Sequence, residues 1–153
     1  MNNLIRTVQY IVSCSVDLKN KYTGESSAPV EFACIFCQNG KEYKEFTKSI
    51  KELGKIVERT RSGFTYLLDK PVTTIAGSLR LVKIRKPDSN RPERGDTDFN
   101  TNYENFKKRY LKNSKFELVK RRTFEYLRLH DQNFDVMACF SNISKSKDLG
   151  IKL

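Results

Sequence analysis

The chain has 153 residues, of which 38% are hydrophobic and 31% charged, and its formal net charge is +11. This length favours one domain with its own core, and no apolar run approaches the roughly 20 residues that a membrane-spanning helix needs. The N-terminal segment lacks the pattern of a secretory signal, so we expect a cytoplasmic protein whose four cysteines are reduced.

The positive charge indicates an anionic partner. Lys and Arg together number 29, against 18 Asp and Glu. Such a surplus suits nucleic acid, an anionic membrane surface or a small phosphorylated or carboxylated molecule, and it also suits solubility alone. Net charge speaks to association and not to fold, so the choice among these partners stays open at this point.

The N-terminal third is predicted to hold two strands. Apolar residues alternate with other residues over 4–18, which predicts a half-buried extra strand. The polar segment 19–29 predicts a loop, and the continuous apolar run 30–38 predicts a central strand buried on both faces. The alternating residues are Val8, Tyr10, Val12, Cys14 and Val16.

An amphipathic helix is predicted over 41–54, followed by three strands. Apolar residues recur there at spacings of three and four, and Gly54 is expected to cap the helix C-terminus. The strands are predicted at 55–61, 64–68 and 79–86. The helix stripe consists of Tyr43, Phe46, Ile50 and Leu53.

The second half is predicted to repeat this order. Residues 87–95 contain two prolines and no apolar residue, which predicts a linker. A short strand at 96–100 and a helix at 102–112 follow, and three strands lie between Phe116 and Asn142. The Ser- and Lys-rich tail, 143–153, is predicted to be loosely held.

The two halves also share residue patterns. Ile56–Arg59 matches Leu118–Arg121, and Phe64 and Tyr66 match Phe124 and Tyr126. We therefore predict a single α+β domain of two βαβββ-like modules, 30–86 and 96–142. Its largely antiparallel curved sheet would carry two amphipathic helices on one face and an extra N-terminal strand.

A tandem βαβββ repeat whose second helix leads into FELVKRRTFEYLRL and a last strand FDVMACFSN resembles the vicinal oxygen chelate superfamily. This group includes glyoxalase I, the bleomycin-resistance proteins and extradiol dioxygenases. The resemblance spans about residues 30–142 and rests on element order. It implies a cup of two curved half-sheets that holds a ligand or a metal ion.

The resemblance also implies where metal ligands would lie. In metal-dependent members, the first and last strands of each module supply His, Gln or Glu. Here those strands offer few donors and several cations, which oppose metal binding, so we predict no metal and no other cofactor. The residues at these positions are Glu31, Arg80, Lys83, Arg85, Asp96, Asp98 and Asp135.

The segment 83–98 predicts an anion clamp between the modules. Arginine suits bidentate capture of a carboxylate or phosphate, and an aromatic side chain can close over an apolar part of the ligand. The alternative is a solvated linker in which Arg94 pairs with Asp96. Replacing Arg85 or Arg94 is expected to leave stability nearly unchanged. The predicted ligand-binding residues are Arg85, Arg94, Asp96, Asp98 and Tyr126.

A second basic tract predicts an alternative site for RNA or DNA. Its helical part could lie along a phosphate backbone, with Tyr110 stacked on a base, although no nucleic-acid-binding motif accompanies it. In a homodimer, Glu42, Glu45 and Glu52 could neutralise this tract instead. The residues of this alternative are Lys107, Lys108, Lys112, Arg121 and Arg122.

Residue types that often mark catalysis have structural interpretations here. Cys34 and Cys37 lie three apart in a predicted strand and would face opposite ways, and His130, the one histidine, is predicted at a solvated turn. No catalytic residue is therefore predicted. We favour a non-enzymatic protein that captures a small anionic molecule; the alternatives are a nucleic-acid-associated phage or mobile-element effector, and a metal-dependent lyase or dioxygenase.

Overall fold

The fold comes from a computed structural model that describes residues 3–153. It contains four helices and eight strands. The N-terminal half comprises α1 (Asn3–Tyr22), β1 (Val30–Phe36), α2 (Gly40–Lys51), β2 (Gly54–Thr60), β3 (Gly63–Thr74) and β4 (Gly77–Arg85). The C-terminal half comprises β5 (Gly95–Phe99), α3 (Tyr103–Tyr110), β6 (Phe116–Lys120), β7 (Glu125–Leu129), β8 (Val136–Ser141) and α4 (Lys145–Asp148).

The strands form one curved, open sheet in the order β2-β3-β4-β1-β5-β8-β7-β6. Within each half, the first strand runs parallel to the last, and the other neighbours are antiparallel. The two halves meet at the antiparallel pair β1–β5. The predicted α+β fold of two βαβββ modules is therefore confirmed.

The predicted N-terminal strand over 4–18 is wrong, because this segment belongs to α1. Val8, Val12 and Val16 alternate with other residues, but they are also four apart and share one face of a helix. Their buried neighbours complete a helical stripe that the sheet covers. The buried residues of α1 are Leu4, Val8, Ile11, Val12, Ser15, Val16, Leu18 and Lys19.

Helix α1 packs across the centre of the sheet, against β1, β3, β5 and β8. The Ser15 hydroxyl donates a 3.1 Å hydrogen bond to the carbonyl of Met137 on β8. Gly95 leaves room for the close approach, because a Cβ there would lie 2.7 Å from Ile11 Cδ1 and 2.2 Å from the Cys34 carbonyl oxygen. The helix layer, not an extra strand, therefore covers the middle of the sheet.

The C-terminal tail is anchored rather than loose. Ser146 N donates a 2.7 Å hydrogen bond to Glu31, and Lys145 forms a 2.9 Å ion pair with Glu58. Gly54 also differs from its prediction: it begins β2, and Glu52 caps α2. Over residues 3–153, the helices are too short or too polar to cross a lipid bilayer.

Candidate functional site

The face of the sheet opposite the main helices forms a cup. On β1, Ala33 and Ile35 join the main core beneath the helices, whereas Cys34 and Phe36 form a separate small cluster with Met137. This alternation is what a strand covered on both sides requires. Above the second cluster lies a cavity of about 330 Å³, a size at the lower end of small-molecule pockets.

Strand register lines up the cup side chains across the two modules. On one side, Lys83 pairs with Cys34, which pairs with Asp96. On the other side, Asp98 pairs with Cys139, which pairs with Arg128. The charged lining residues of the whole cavity are Lys83, Arg85, Arg91, Arg121, Arg128, Lys145, Asp96, Asp98 and Asp148.

Two arginines from different modules have unused donors. The Nε atoms of Arg85 on β4 and Arg128 on β7 are buried and lack a hydrogen-bond partner among the described residues. Their other contacts hold them in place: the Arg85 guanidinium lies 5.2 Å from the Phe36 ring, and Arg128 donates to Glu117 at 3.1 Å. A buried, charged N–H without an acceptor carries a desolvation cost that no hydrogen bond within the described residues offsets.

Tyr126 lies between two guanidinium groups. Its hydroxyl accepts hydrogen bonds from Arg128 at 2.9 Å and from Arg121 at 3.2 Å, and both groups lie 5.7 Å from its ring centre. The Phe124 ring stacks on it at 6.1 Å. This wall of the cup therefore combines aromatic surface with positive charge.

Two carboxyl groups form the floor of the cup. Asp96 and Asp98 stand two residues apart on β5 and line the cavity. Burial raises the pKa of Asp96 to about 6, while Arg128, Arg85 and Lys83 oppose that rise. Burial and the nearby charge of Asp96 raise the pKa of Asp98 to about 8. Two acidic groups enclosed together resist double ionisation.

The structure therefore brings together four of the five predicted ligand-binding residues, namely Arg85, Asp96, Asp98 and Tyr126. Arg94 lies elsewhere. Its guanidinium forms a 2.9 Å ion pair with Glu42 on α2 and donates a 2.6 Å hydrogen bond to the Phe36 carbonyl. The sequence-based pairing of Arg94 with Asp96 is replaced by these contacts, which join α2 to the end of β1.

The basic tract of the nucleic-acid alternative is divided between two faces. Arg121 lines the cup, whereas Lys108 and Lys112 are exposed on or just after α3, whose Phe106 stacks on Phe140 beneath the opposite face of the sheet. Lys107 binds Glu125 at 2.6 Å. Arg122, the fifth residue of this alternative, is exposed beside Arg121.

Tyr110, predicted to stack on a base, makes contacts within the protein. Its ring centre lies 4.7 Å from that of Phe106 and 5.4 Å from that of Phe116. Its hydroxyl accepts a 3.0 Å hydrogen bond from Gly24 N. These contacts pack the half-buried ring against α3 and the start of β6.

The cup residues do not suit a catalytic metal ion. No group of three or more His, Cys, Asp or Glu side chains within residues 3–153 is arranged to hold one. Glu31, the donor expected from β1, accepts hydrogen bonds from Asn100 and Ser146. The floor supplies two carboxyls, fewer than the three or four protein ligands of a typical zinc site.

The cysteines and the histidine keep their structural interpretations. Cys34 belongs to the cup cluster and Cys37 to the main core, as the strand alternation predicts, and all four cysteines are free thiols. Burial raises the pKa of Cys34 and Cys139 well above its usual range, which keeps them protonated. His130 is exposed at the end of β7.

Sequence reasoning missed two important cup residues, Arg128 and Lys145. Arg128 is two residues from Tyr126, so strand alternation places both on one face once Tyr126 is assigned to the cup. Lys145 lies in the tail and reaches the cup because α4 packs on β1, with its Nζ 5.1 Å from the Phe32 ring. The first had a signal in the sequence; the second depends on tertiary contacts.

Comparisons with known proteins inform the fold. No protein-family model and no curated protein matches the chain. A structural-genomics protein designated EC4020 superposes with a TM-score of 0.70 at 12% identity, covering 98% of this chain and 96% of its own. A glyoxalase/bleomycin resistance protein/dioxygenase superfamily member from Vibrio splendidus 12B01 gives a TM-score of 0.49 at 7% identity, covering 72% of this chain and 95% of its own. At 12% identity, the similarity to EC4020 shows a shared fold and no more.

Proposed function

We propose that this protein captures a small anionic molecule in the cup and does so without catalysing a reaction. The observation that carries the proposal is the pair of buried, unpartnered Nε atoms of Arg85 and Arg128. They belong to different modules and both line the same cavity. Oxygen atoms of a carboxylate or phosphate would accept from them in charge-assisted hydrogen bonds.

The balance of charge in the cup supports this proposal. Six of the lining side chains are basic and three are acidic. Burial lowers the pKa of Lys83, and its Nζ donates a 2.7 Å hydrogen bond to the Ser62 hydroxyl. Lys83 therefore lies at a position where an anion would favour its charged form.

The apolar lining supports a ligand that also has hydrophobic surface. Phe32, Phe36 and Met137 line the cavity from the sheet, and Phe124 and Tyr126 line it from the module-two wall. Aromatic and apolar surface with a few convergent charged groups is typical of small-molecule sites. The resemblance to the vicinal oxygen chelate superfamily belongs to this proposal as well, since it implies a ligand held in such a cup.

Calorimetric titration with inorganic pyrophosphate tests the proposal. We expect Arg85→Ala and Arg128→Ala each to weaken pyrophosphate binding at least about tenfold, which corresponds to the loss of one charge-assisted hydrogen bond. Arg122→Ala is the matched control. It removes the same charge beside Arg121, but Arg122 is exposed and does not line the cavity.

Two results would refute anion capture in the cup. One is wild-type affinity for pyrophosphate in both Arg85→Ala and Arg128→Ala. The other is an equal loss of affinity in Arg122→Ala, which would mean that net charge, and not the cup, attracts the anion.

Nucleic-acid association remains the alternative, and the exposure of Lys108 and Lys112 is what favours it. These two lysines lie outside the lining of the cup, so the two functions can be separated. Binding of a fluorescent oligonucleotide should weaken with salt, and Lys108→Ala with Lys112→Ala should reduce the log–log slope by about 2 if both residues contact phosphates. A flat salt response would end this alternative.

A further inference from the structure

We infer that the ligand of the cup is a zwitterion, an anionic molecule that also carries an ammonium group, with its acid held by Arg85 and Arg128 and its ammonium held by Asp96 and Asp98. This inference rests on the proposed function and specifies the class of ligand. It follows from the arrangement of unpaired groups of both signs around one cavity.

Asp96 and Asp98 do not form ion pairs with other described residues. None of the ion pairs within residues 3–153 involves Asp96 or Asp98, although basic side chains line the same cavity. The partner that Asp96 has is the Cys139 thiol, a weak donor 3.9 Å away. Asp98 has a hydrogen bond with Ser141. The pair therefore retains acceptor capacity that a donor in the ligand can use.

Arg85 and Arg128 likewise lack acceptors for some of their donors. Their Nε donors are buried without acceptors, and the carboxylates in the same cup do not reach them. Arg85 instead binds Asp88 at 3.5 Å, and Arg128 binds Glu117 at 3.1 Å. If the charges served stability alone, burial would favour direct pairing between the cup arginines and the floor carboxyls.

A simple anion fits this arrangement less well. An oxyanion on Arg85 and Arg128 brings a second negative charge toward the floor carboxyls, which costs free energy unless the floor takes up a proton. A ligand ammonium removes that cost and donates charge-assisted hydrogen bonds to the floor carboxyls. The cup therefore favours a molecule that brings both charges.

Several charged or titratable groups face the floor carboxyls and set their behaviour. Burial raises the pKa of both carboxyls, and the nearby charge of Asp96 raises that of Asp98 further, while the surrounding cations oppose the rise. The surrounding groups are Glu31 and Cys34 from β1, Lys83 and Arg85 from β4, Arg91 from the β4–β5 connection, Arg128 from β7, Cys139 from β8 and Lys145 from α4.

Matched ligand pairs that differ by one ammonium group test the inference. Calorimetric titrations at pH 7.5 compare L-glutamate with glutarate, and L-phenylalanine with 3-phenylpropionate. We expect the ammonium-bearing member of at least one pair to bind at least about tenfold more tightly than its partner, as one charge-assisted hydrogen bond would give.

Asp96→Asn is the decisive variant, because it should change the affinities for the two kinds of ligand in opposite directions. Loss of the carboxylate should weaken the ammonium-bearing ligand and tighten its ammonium-free partner, since one negative charge is removed from the floor. Asp69→Asn is the matched control: it removes an exposed carboxylate from β3, outside the lining of the cavity.

The possible outcomes distinguish the zwitterion inference from the proposed anion capture on which it rests. The zwitterion inference is overturned if the two members of each ligand pair bind with equal affinity, or if neither pair binds although pyrophosphate does. Either result leaves the proposed anion capture intact. The inference is also overturned if glutarate binds more tightly than L-glutamate and the heat of binding depends on the buffer. Such heats show proton uptake, which means that the floor carboxyls take a proton from solvent. Ligand binding that is insensitive to Arg85→Ala and Arg128→Ala overturns both proposals.

Discussion

The guanidinium of Arg94 lies 2.9 Å from the carboxylate of Glu42, and this ion pair joins the first turn of α2 to the residue directly before β5. The same guanidinium donates to the Phe36 carbonyl at 2.6 Å and lies 5.9 Å from the Phe46 ring. Arg94, which lies between the two modules, therefore contacts two elements of the first module, α2 and β1, and does not line the cup.

Arg94→Ala is expected to destabilise the protein, contrary to the small effect that the sequence suggests. Loss of a partly buried, charge-assisted contact should lower the free energy of unfolding by about 1–3 kcal/mol. Urea denaturation measures this change. Arg122→Ala, an exposed control, should stay within about 0.5 kcal/mol of the wild type. Equal stability of the two variants would show that the Arg94 contacts contribute nothing.

The acidity of Asp98 predicts how its contribution to stability depends on pH. Its pKa is about 8 in the folded protein, against an ordinary value of 3.8, so the folded chain keeps a proton that the unfolded chain loses in this range. The free energy of unfolding contributed by Asp98 therefore falls as pH rises from about 4 to about 8. The amide of Asp98→Asn does not titrate in this range, so the stability of this variant should not show this decrease.

Denaturation of Asp98→Asn and the wild type at several pH values measures the effect. The two proteins should have similar stability near pH 4, and the variant should be more stable by at least about 1 kcal/mol near pH 8.5. A stability difference that stays constant across this range would contradict the raised pKa.

Asp131 should show the opposite pH dependence. Its buried side chain accepts hydrogen bonds from the Tyr22 hydroxyl, from Lys21 at 3.2 Å and from Asn133 N at 2.9 Å. The hydrogen bond from Tyr22 is the largest cause that lowers the pKa of Asp131. Asp131→Asn should therefore be less stable than the wild type at neutral pH, and the difference should shrink as pH falls below about 4. A difference that grows on acidification would argue against this network.

Gly95 lies where β5 approaches the backbone of β1 and the Ile11 side chain of α1, and a larger residue there is expected to clash. In Gly95→Ala the new Cβ would meet the Cys34 carbonyl oxygen at 2.2 Å, and backbone must shift to relieve that contact. We expect a loss of about 1–3 kcal/mol or more in thermal or urea unfolding. Gly24→Ala is the control, because nothing lies within 4 Å of its added Cβ. If both variants unfold alike, the backbones of β1 and β5 do not approach as closely at Gly95 as the structure indicates.

The repeated module was predictable from the sequence because its signals are local. The helix stripe of Tyr43 and Phe46, its counterpart in Tyr103 and Phe106, and the strand runs that follow each helix all keep their predicted order in the fold. Helix α1 was not predicted, since its valines satisfy both the period of a strand and the spacing of a helix. Leu4, Ile11 and Leu18 were the residues that could have decided for the helix.

The cup was partly predictable for the same reason. Arg85, Asp96 and Asp98 lie on strands whose alternation is visible in the sequence, and they reach one cavity. Arg94 was assigned to the clamp because it is near these residues in the chain, but its partner Glu42 is 52 positions away and becomes visible only in the fold. Sequence proximity therefore predicted the right region and one wrong side chain.

The most direct test of the account is to observe the two arginine donors themselves. NMR signals of arginine Nε–H groups, assigned by Arg→Lys variants, can be followed as pyrophosphate is added. The account predicts that the signals of Arg85 and Arg128 shift together and saturate at one affinity, while that of Arg122 stays in place. Unmoved Arg85 and Arg128 signals, with shifts confined to exposed arginines such as Arg122, would contradict an anion site in the cup.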